Sequence, residues 1–146
     1  MLPQEKFMLQ AIAAAKHSKE TTGCGVVIVK NDHVLAETYN LQHENHDATA
    51  HAEILAIRQA GEKAANKKLP ECVAYCTTEP CIMCLAAMSY AKIAGIVFGL
   101  TMKETYPVSR IIDLTDITGF IAISPHKFWY QAGFLKEQCR QLIDMN

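Results

Sequence analysis

The sequence predicts a single α/β domain, a sandwich of helices around one β-sheet. A pattern typical of a strand hairpin comes first, and helical and strand patterns then alternate to the end of the chain. The length of 146 residues, half of them hydrophobic, is enough for one domain with a substantial core. Because no internal repeat, low-complexity tract or linker composition interrupts the pattern, residues 1–146 are predicted to form one domain.

The first part of the chain contains a helix pattern and a hairpin pattern. A helix is predicted over residues 4–19, where apolar side chains recur at helical spacing: Phe7, Met8, Ile12 and Ala15. The β-branched run 26–29 and residues 34–39 predict two antiparallel strands, since Asn31-Asp32 between them is a hairpin-type turn. The polar residues 40–49 predict a loop.

Helices and strands are predicted to alternate through the rest of the chain. The helices are expected at residues 49 or 50 to about 66, 80 to about 91, and 134–145. The strands are expected at residues 72–77, 93–100 and 127–130. Residues 101–125 show no clear period, and only a short helix at 109–114 is predicted there.

Composition indicates a reduced, cytoplasmic protein that does not enter a membrane. No apolar run approaches the roughly 20 residues that a membrane span needs, and no secretory signal pattern is visible. The six cysteines are therefore predicted to be reduced thiols, with two or more of them on a metal ion. The net charge of -1 lacks the basic excess of proteins that bind nucleic acid mainly through phosphates.

The strongest functional pattern is His51-Ala52-Glu53 followed by Pro80-Cys81-Ile82-Met83-Cys84. Zinc favours imidazole nitrogen and thiolate sulfur, and two cysteines separated by two residues at a helix start can point at one metal ion. The helix N-terminus also favours the negative charge of thiolates. We therefore predict one zinc ion on His51, Cys81 and Cys84. Three protein ligands are typical of a catalytic zinc site, which keeps a position for water and lowers its pKa to about 7.

Glu53 is the candidate for proton transfer. It follows His51 by two residues near the start of the same predicted helix, so the two side chains cannot easily bind a metal from one face. Its carboxylate can instead lean over the open metal position, take a proton from water, pass it to a ring nitrogen and later protonate a leaving amine. The pattern therefore indicates hydrolysis at an amidine-like ring carbon, with release of ammonia.

These residues resemble a known signature. His-x-Glu with Pro-Cys-x-x-Cys is similar to the motif of the cytidine deaminase superfamily. Residues 46–53 and 78–84 look like the branch that contains guanine deaminases and tRNA adenosine deaminases, and shorter similar segments extend the resemblance over most of the chain outside residues 101–125. The resemblance implies a three-layer α/β/α sandwich around a mixed five-stranded sheet, and assembly as a homodimer.

The same resemblance implies a set of substrate contacts. Asn40 matches an asparagine that hydrogen-bonds the substrate base, and the backbone of Ala52 matches a contact to the ring edge. Cys24 and Thr78 match positions in the pocket wall. The residues themselves leave open a turn-forming role for Asn40 and core packing for Cys24. The run Phe128-Trp129-Tyr130 is expected to pack in the core or at a subunit contact, with a stacking platform for a base as the alternative.

The predicted activity is zinc-dependent hydrolytic deamination of a nucleobase or nucleoside, with a free aminopurine such as guanine as the expected substrate. The tRNA deaminases carry basic segments after the fourth strand and at the C-terminus, whereas residues 100–106 and 142–146 contain no basic cluster. Adenosine in tRNA and a cytosine- or cytidine-type pyrimidine are the alternative substrates. A zinc-stabilised interaction module without catalysis is a further alternative, which would need a fourth protein ligand such as His43, His46 or Cys76.

Overall fold

The computed structural model describes residues 2–20, 23–105 and 116–144, and these residues form one five-stranded sheet with helices. The elements in chain order are α1 (Glu5–Ala15), β1 (Gly25–Lys30), β2 (His33–Tyr39), α2 (Ala52–Ala64), β3 (Cys72–Thr78), α3 (Ile82–Tyr90), β4 (Gly95–Leu100), α4 (Met102–Thr105), α5 (Ile117–Ile123), β5 (Trp129–Gln131) and α6 (Lys136–Asp144). The strand order across the sheet is β2-β1-β3-β4-β5. Strand β1 is antiparallel to β2 and β3, whereas β3 with β4 and β4 with β5 are parallel pairs. The predicted α/β fold with a mixed five-stranded sheet is confirmed.

A tight hairpin joins β1 and β2. Asn31 and Asp32 have φ angles of 50° and 64°, the left-handed conformation that both central residues of a type I′ turn adopt. Lys30 and His33 pair on either side of this turn, and the antiparallel pairing continues to the far ends of both strands. Asn and Asp tolerate the left-handed conformation because their short polar side chains bond locally, so the sequence predicted this hairpin correctly.

Helices cover both faces of the sheet and bury two apolar clusters. On one face α2, α3 and α5 pack in a cluster that includes Val26, Ile28, Ala56, Ala74, Leu85, Met88, Ile96, Phe98 and Ile117. On the other face α1 and α6 pack in a cluster that includes Phe7, Met8, Ile12, Val27, Tyr75, Val97, Cys139 and Leu142. Successive residues of β1, β3 and β4 point to opposite faces and both faces are covered, so these strands are apolar over most of their length. Among the helices that the structure describes, none has the length and apolar character needed to cross a membrane.

The close packing of α1 on β1 requires a glycine at residue 25. A Cβ atom on Gly25 would overlap the carbonyl oxygen of Ala11 and lie 2.7 Å from the backbone nitrogen of Ala15. The backbone of the helix thus lies directly against the first residue of β1. The Gly25 N–H donates to the hydroxyl of Thr77 at 3.1 Å, so this end of β1, next to Cys24, is held from two sides.

Some element boundaries differ from those predicted. Helix α1 ends at Ala15, and the predicted continuation to residue 19 is wrong because the polar residues 16–19 cannot continue its buried face. Strand β5 spans Trp129–Gln131 rather than 127–130. Helices α4 and α5 were not predicted, and the helix expected at 109–114 lies outside the described residues.

The aromatic run at β5 is divided between core and surface. Phe128 is buried in the cluster beneath α3 and α5, as expected for a core residue. Trp129 and Tyr130 are 39% and 38% exposed, because β5 is an edge strand. The indole of Trp129 lies over Gly95, and the ring of Tyr130 stacks on Phe98 with 6.2 Å between ring centroids. Full burial in the core thus holds for Phe128 and not for its two neighbours.

Candidate metal centre and active site

The N-termini of α2 and α3 bring three metal-ligating side chains together at the carboxyl end of β3. His51 is the N-cap of α2 with an extended backbone (φ -68°, ψ 151°), and Cys81 is the N-cap of α3 (φ -73°, ψ 174°). Neither side chain caps its own helix, so both are left for a ligand. Cys84 lies in the first turn of α3. The predicted helix starts, at residue 49 or 50 and at residue 80, are therefore too early.

The three ligand atoms have the spacing of a tetrahedral zinc site. Nδ1 of His51 lies 3.7 Å from Sγ of Cys81 and 3.5 Å from Sγ of Cys84, and the two sulfur atoms are 3.7 Å apart. Zinc bonds of about 2.0 to 2.3 Å at tetrahedral angles place neighbouring ligand atoms about 3.5 to 3.8 Å apart. The donor set of one imidazole and two thiols also suits zinc. These residues form a candidate zinc site without rearrangement.

The three ligand side chains shift one another's pKa values. The hydrogen bond with the Cys84 thiol lowers the pKa of Cys81 to about 4, and His51 adds to this effect. The same hydrogen bond, followed by burial, raises the pKa of Cys84, and the hydrogen bond with Cys81 raises the pKa of His51. A divalent cation between the two sulfur atoms would favour both thiolates, because it replaces their shared proton with two positive charges.

Glu53 lies beside the ligand group but outside it. It sits in the first turn of α2, two residues after His51, and only 4% of the residue is exposed. Burial, followed by the negative charge of Cys81, raises the pKa of its carboxyl group. A carboxyl group shielded from solvent beside a group of three metal-ligating side chains has the location that a proton-transfer group needs.

The predicted substrate-contact residues are connected to Glu53 through Cys24, whose thiol donates to Oε1 of Glu53 at 3.7 Å, and through Ala52, which precedes Glu53 in the chain. The Cys24 N–H donates to Oδ1 of Asn40 at 3.1 Å, and the Asn40 N–H donates to the Cys24 carbonyl at 3.2 Å. The Thr78 hydroxyl donates to Sγ of Cys24 at 3.5 Å. The carbonyl of Ala52 accepts from the hydroxyl of Thr38, which holds the first residue of α2 on β2. Their contacts with substrate remain predictions.

The candidates for a fourth protein ligand lie outside the metal group. His43 and His46 are exposed in the loop before α2, and Cys76 is buried in β3. Within the described ranges, the side chains that can reach one metal ion together are His51, Cys81 and Cys84, with no fourth. In this part of the chain the fourth ligand required by a non-catalytic zinc module is therefore not found.

Comparison of the sequence with known protein families identifies the family of this chain. Residues 1–100 match the family model of the cytidine and deoxycytidylate deaminase zinc-binding region, a match that includes the candidate metal ligands and Glu53. The chain belongs to this zinc deaminase family. It is a deaminase, a hydrolase that acts on C–N bonds, and the resemblance and the zinc cofactor expected from the sequence are confirmed.

The zinc deaminase has relatives with two kinds of substrate in their names. It is 34% identical over 115 residues to a tRNA-specific adenosine deaminase of Aquifex aeolicus (strain VF5), covering 77% of this chain and 76% of that protein. A solved structure from studies of A-to-I editing by tRNA:A34 deaminases has 29% identity and a TM-score of 0.83, covering 95% of this chain and 99% of that one. A guanine deaminase from Nitrosomonas europaea has a TM-score of 0.81 at 16% identity, covering 99% of this chain and 85% of that one. The last similarity shows the fold alone.

Glu79 is a residue of the zinc deaminase for which the sequence alone suggested no role. Its buried carboxylate accepts the backbone N–H groups of Met102 and Ile117, each at 2.9 Å. These are the first residues of α4 and α5. Glu79 thus joins both short helices to a point two residues before the metal ligand Cys81. The available signal was an acidic residue between two largely apolar segments, residues 72–76 and 81–88, since buried acids are rare unless they are paired.

Replacing Glu79 with glutamine is expected to lower the free energy of unfolding by about 1 to 3 kcal/mol. Glutamine keeps one acceptor oxygen but turns its NH₂ group towards the second backbone N–H, which is then buried without an acceptor. Urea unfolding followed by circular dichroism measures the change. Glu62→Gln on the exposed surface of α2 is the matched control and is expected to stay within about 0.5 kcal/mol of wild type. Equal stability of the two variants would contradict this role of Glu79.

Proposed function

We propose that this zinc deaminase converts adenosine in tRNA to inosine. The observation that carries the proposal is the 34% identity to a tRNA-specific adenosine deaminase over 77% of this chain and 76% of that protein. The similarity to a guanine deaminase, at 16% identity, supports the fold and not the substrate. Adenosine in tRNA therefore has more support than the free aminopurine expected from the sequence. The net charge of -1 is the observation that favours a small molecule, and it keeps guanine as the second candidate.

The proposed reaction assigns a role to each residue of the site. His51, Cys81 and Cys84 would hold one zinc ion, and the chemistry that the ion would supply is a more acidic water molecule to serve as the nucleophile. Glu53 accepts a proton from the water and delivers it to the ring nitrogen beside the carbon under attack. The same group then takes the second proton of the former water from the new hydroxyl and gives it to the amino group, so that the C–N bond breaks, ammonia leaves and a carbonyl remains. The burial of Glu53 supports this role, since a shielded carboxyl group exchanges protons with the substrate rather than with solvent.

We propose that the base is held by Asn40, the Ala52 backbone, Cys24 and Thr78. Asn40 hydrogen-bonds the base, and Cys24 and Thr78 form part of the pocket wall. The backbone of Ala52 is suited to a ring edge, because N–H groups in the first turn of a helix have no acceptor within that helix. The contacts that connect Asn40, Cys24 and Thr78 to Glu53 support one continuous pocket beside the metal centre.

We also propose that the enzyme is a homodimer in the cytoplasm, a reducing compartment that keeps cysteines as thiols and contains tRNA. The hydroxyls of Ser89 and Ser124 are 3.2 Å apart, so the ends of α3 and α5 are adjacent. Beside them Tyr90 and Ile123 are 86% and 77% exposed, and neighbouring exposed apolar residues favour contact with a second copy. Analytical ultracentrifugation measures the mass, and a monomer at every concentration would contradict the homodimer.

The test of the substrate is a panel assayed with the zinc-loaded full chain. The panel contains a tRNA anticodon stem-loop with adenosine in the loop, free adenosine, guanine, cytosine and cytidine. We expect inosine in the digested RNA and little ammonia from the free compounds. Ammonia from guanine without inosine in the RNA would overturn the tRNA proposal in favour of the aminopurine. A zinc-loaded chain inert to the whole panel would overturn both.

A further inference from the structure

A chain of hydrogen bonds connects the end of β3 to the carboxylate of Glu53. The hydroxyl of Thr78 donates to Sγ of Cys24 at 3.5 Å, and the Cys24 thiol donates to Oε1 of Glu53 at 3.7 Å. Cys24 and Glu53 are both buried, so water competes little for these contacts. The proposed proton-transfer group therefore has a thiol as a polar neighbour at one of its oxygens.

The direction of this chain follows from the donors and acceptors available. Glu53 must be ionised to accept a proton from water, and in that form its carboxylate can only accept a hydrogen bond, so the thiol hydrogen points at Glu53 and the sulfur lone pairs are left for Thr78. Burial, followed by the negative charge of Glu53, raises the pKa of Cys24. Cys24 therefore stays a thiol and keeps the hydrogen that it donates.

The backbone holds the Cys24 sulfur in place. Two hydrogen bonds join the backbone of Cys24 to Asn40. The Cys24 N–H donates to the Asn40 side chain, and the Asn40 N–H donates to the Cys24 carbonyl. The next residue, Gly25, lies against the backbone of α1, and its N–H donates to Thr77. The thiol is thus carried by a well-supported end of β1, whereas Glu53 reaches it through a longer and more flexible side chain.

We infer that Cys24 is a positioning residue for Glu53, whose thiol orients the carboxylate for proton transfer, and not only a part of the pocket wall. The inference rests on the proposed role of Glu53. A glutamate side chain must lose rotational freedom before it can move a proton between two defined atoms. A donor at Oε1 supplies that restriction, and an apolar side chain filling the same space would not.

Cys24→Ala and Cys24→Ser separate the two roles when they are assayed on the substrate that the panel identifies. Loss of orientation is expected to lower kcat of Cys24→Ala about five- to tenfold, while KM changes by less than about twofold. Cys24→Ser keeps a donor hydrogen and is expected to recover part of the lost kcat. A pocket-wall role predicts a raised KM with kcat unchanged, and that result would overturn the inference.

A double-mutant cycle with Thr78→Val tests the connection to Thr78. If Thr78 acts through the thiol, Thr78→Val is expected to lower kcat less than Cys24→Ala does, and the double variant to be no slower than Cys24→Ala. Independent losses that multiply in the double variant would contradict the chain of hydrogen bonds.

Cys72→Ala is the matched control for lost packing. Cys72 is buried in the same apolar cluster as Cys24 but lies at the opposite end of β3 from Thr78, about 20 Å away. It is expected to leave kcat unchanged, and an equal fall in both variants would overturn the inference. Zinc content is measured in every variant, so that a lost metal is not read as lost orientation.

The outcomes for Cys24 and for the tRNA proposal are distinguishable. If the wild-type chain deaminates a free base and not RNA, the tRNA proposal fails, whereas the kcat comparison still tests Cys24 on that base. If Glu53→Ala is inactive and Cys24→Ala has the kcat of wild type, the inference about Cys24 fails alone.

Discussion

Replacement of Glu53 by glutamine is expected to lower kcat by about 10²- to 10⁴-fold while the zinc content stays at that of wild type. Glutamine has nearly the shape of glutamate but cannot accept a proton and return it, so the loss reports proton transfer rather than packing. Steady-state ammonia release and zinc analysis of the same samples measure the two quantities. A Glu53→Gln variant within about threefold of wild type would contradict proton transfer by this residue.

The same substitution is expected to leave the fold at least as stable as it was. Glu53 is almost fully buried, and a neutral amide costs less to bury than a carboxylate. Thermal unfolding of both zinc-loaded proteins checks this point. Glu62→Gln, on the exposed surface of the same helix, is the matched control and is expected to keep full kcat and zinc. A large fall in the unfolding midpoint of Glu53→Gln alone would indicate a structural role instead.

Removal of zinc with a chelator is expected to abolish turnover and lower the thermal unfolding midpoint, and added Zn²⁺ is expected to restore both. The ligand atoms of His51, Cys81 and Cys84 converge only in the folded chain, so a metal ion bound there stabilises the folded state by mass action. Activity assays and calorimetry before and after metal removal measure the effect. Full turnover by protein shown to contain no metal would contradict the mechanism.

A pair of cysteine variants tests the ligand assignment without a chelator. Cys84 and Cys72 are both buried, but only Cys84 of the two has its sulfur within 3.5 Å of Nδ1 of His51. Cys84→Ala is expected to lose zinc and activity, whereas Cys72→Ala is expected to keep both. Equal zinc content in the two variants would contradict the assignment of Cys84 as a ligand.

Local patterns predicted the parts of this fold that depend on neighbouring residues. The β1–β2 hairpin follows from Asn31 and Asp32, whose side chains suit the left-handed turn wherever they occur. The body of α1 follows from apolar residues at helical spacing, which can only be buried together on one face. The motif residues could be recognised because their chemical types carry the metal chemistry whatever the fold around them.

The helix starts at the metal centre were harder to predict. His51 and Cys81 precede α2 and α3 as extended N-caps, although their sequence surroundings also suit a helix. Because both backbones are extended, the imidazole and the thiol point towards each other. In a helical conformation each side chain would project from its own helix. The position of the partner across the site decides this, and a local pattern contains no information about it.

Helices α4 and α5 show the same limit more clearly. Each is short, and the N–H of its first residue is satisfied by Glu79, which lies 23 residues before Met102 and 38 before Ile117. A helix of four or seven residues is weak by itself, so its period is barely visible in the sequence. A buried carboxylate from elsewhere in the chain supplies the missing acceptors.

By itself the sequence determined the fold class, the hairpin and the set of residues able to bind zinc, because these depend on residue type and short spacing. Only the tertiary structure decided the neighbours of the reacting group. Cys24 and Glu53 are 29 residues apart in the chain, and Thr78 and Cys24 are 54 apart, yet their side chains are in contact. Hydrogen bonds act over a few ångströms in space, so these contacts exist only once β1, β3 and α2 have packed together.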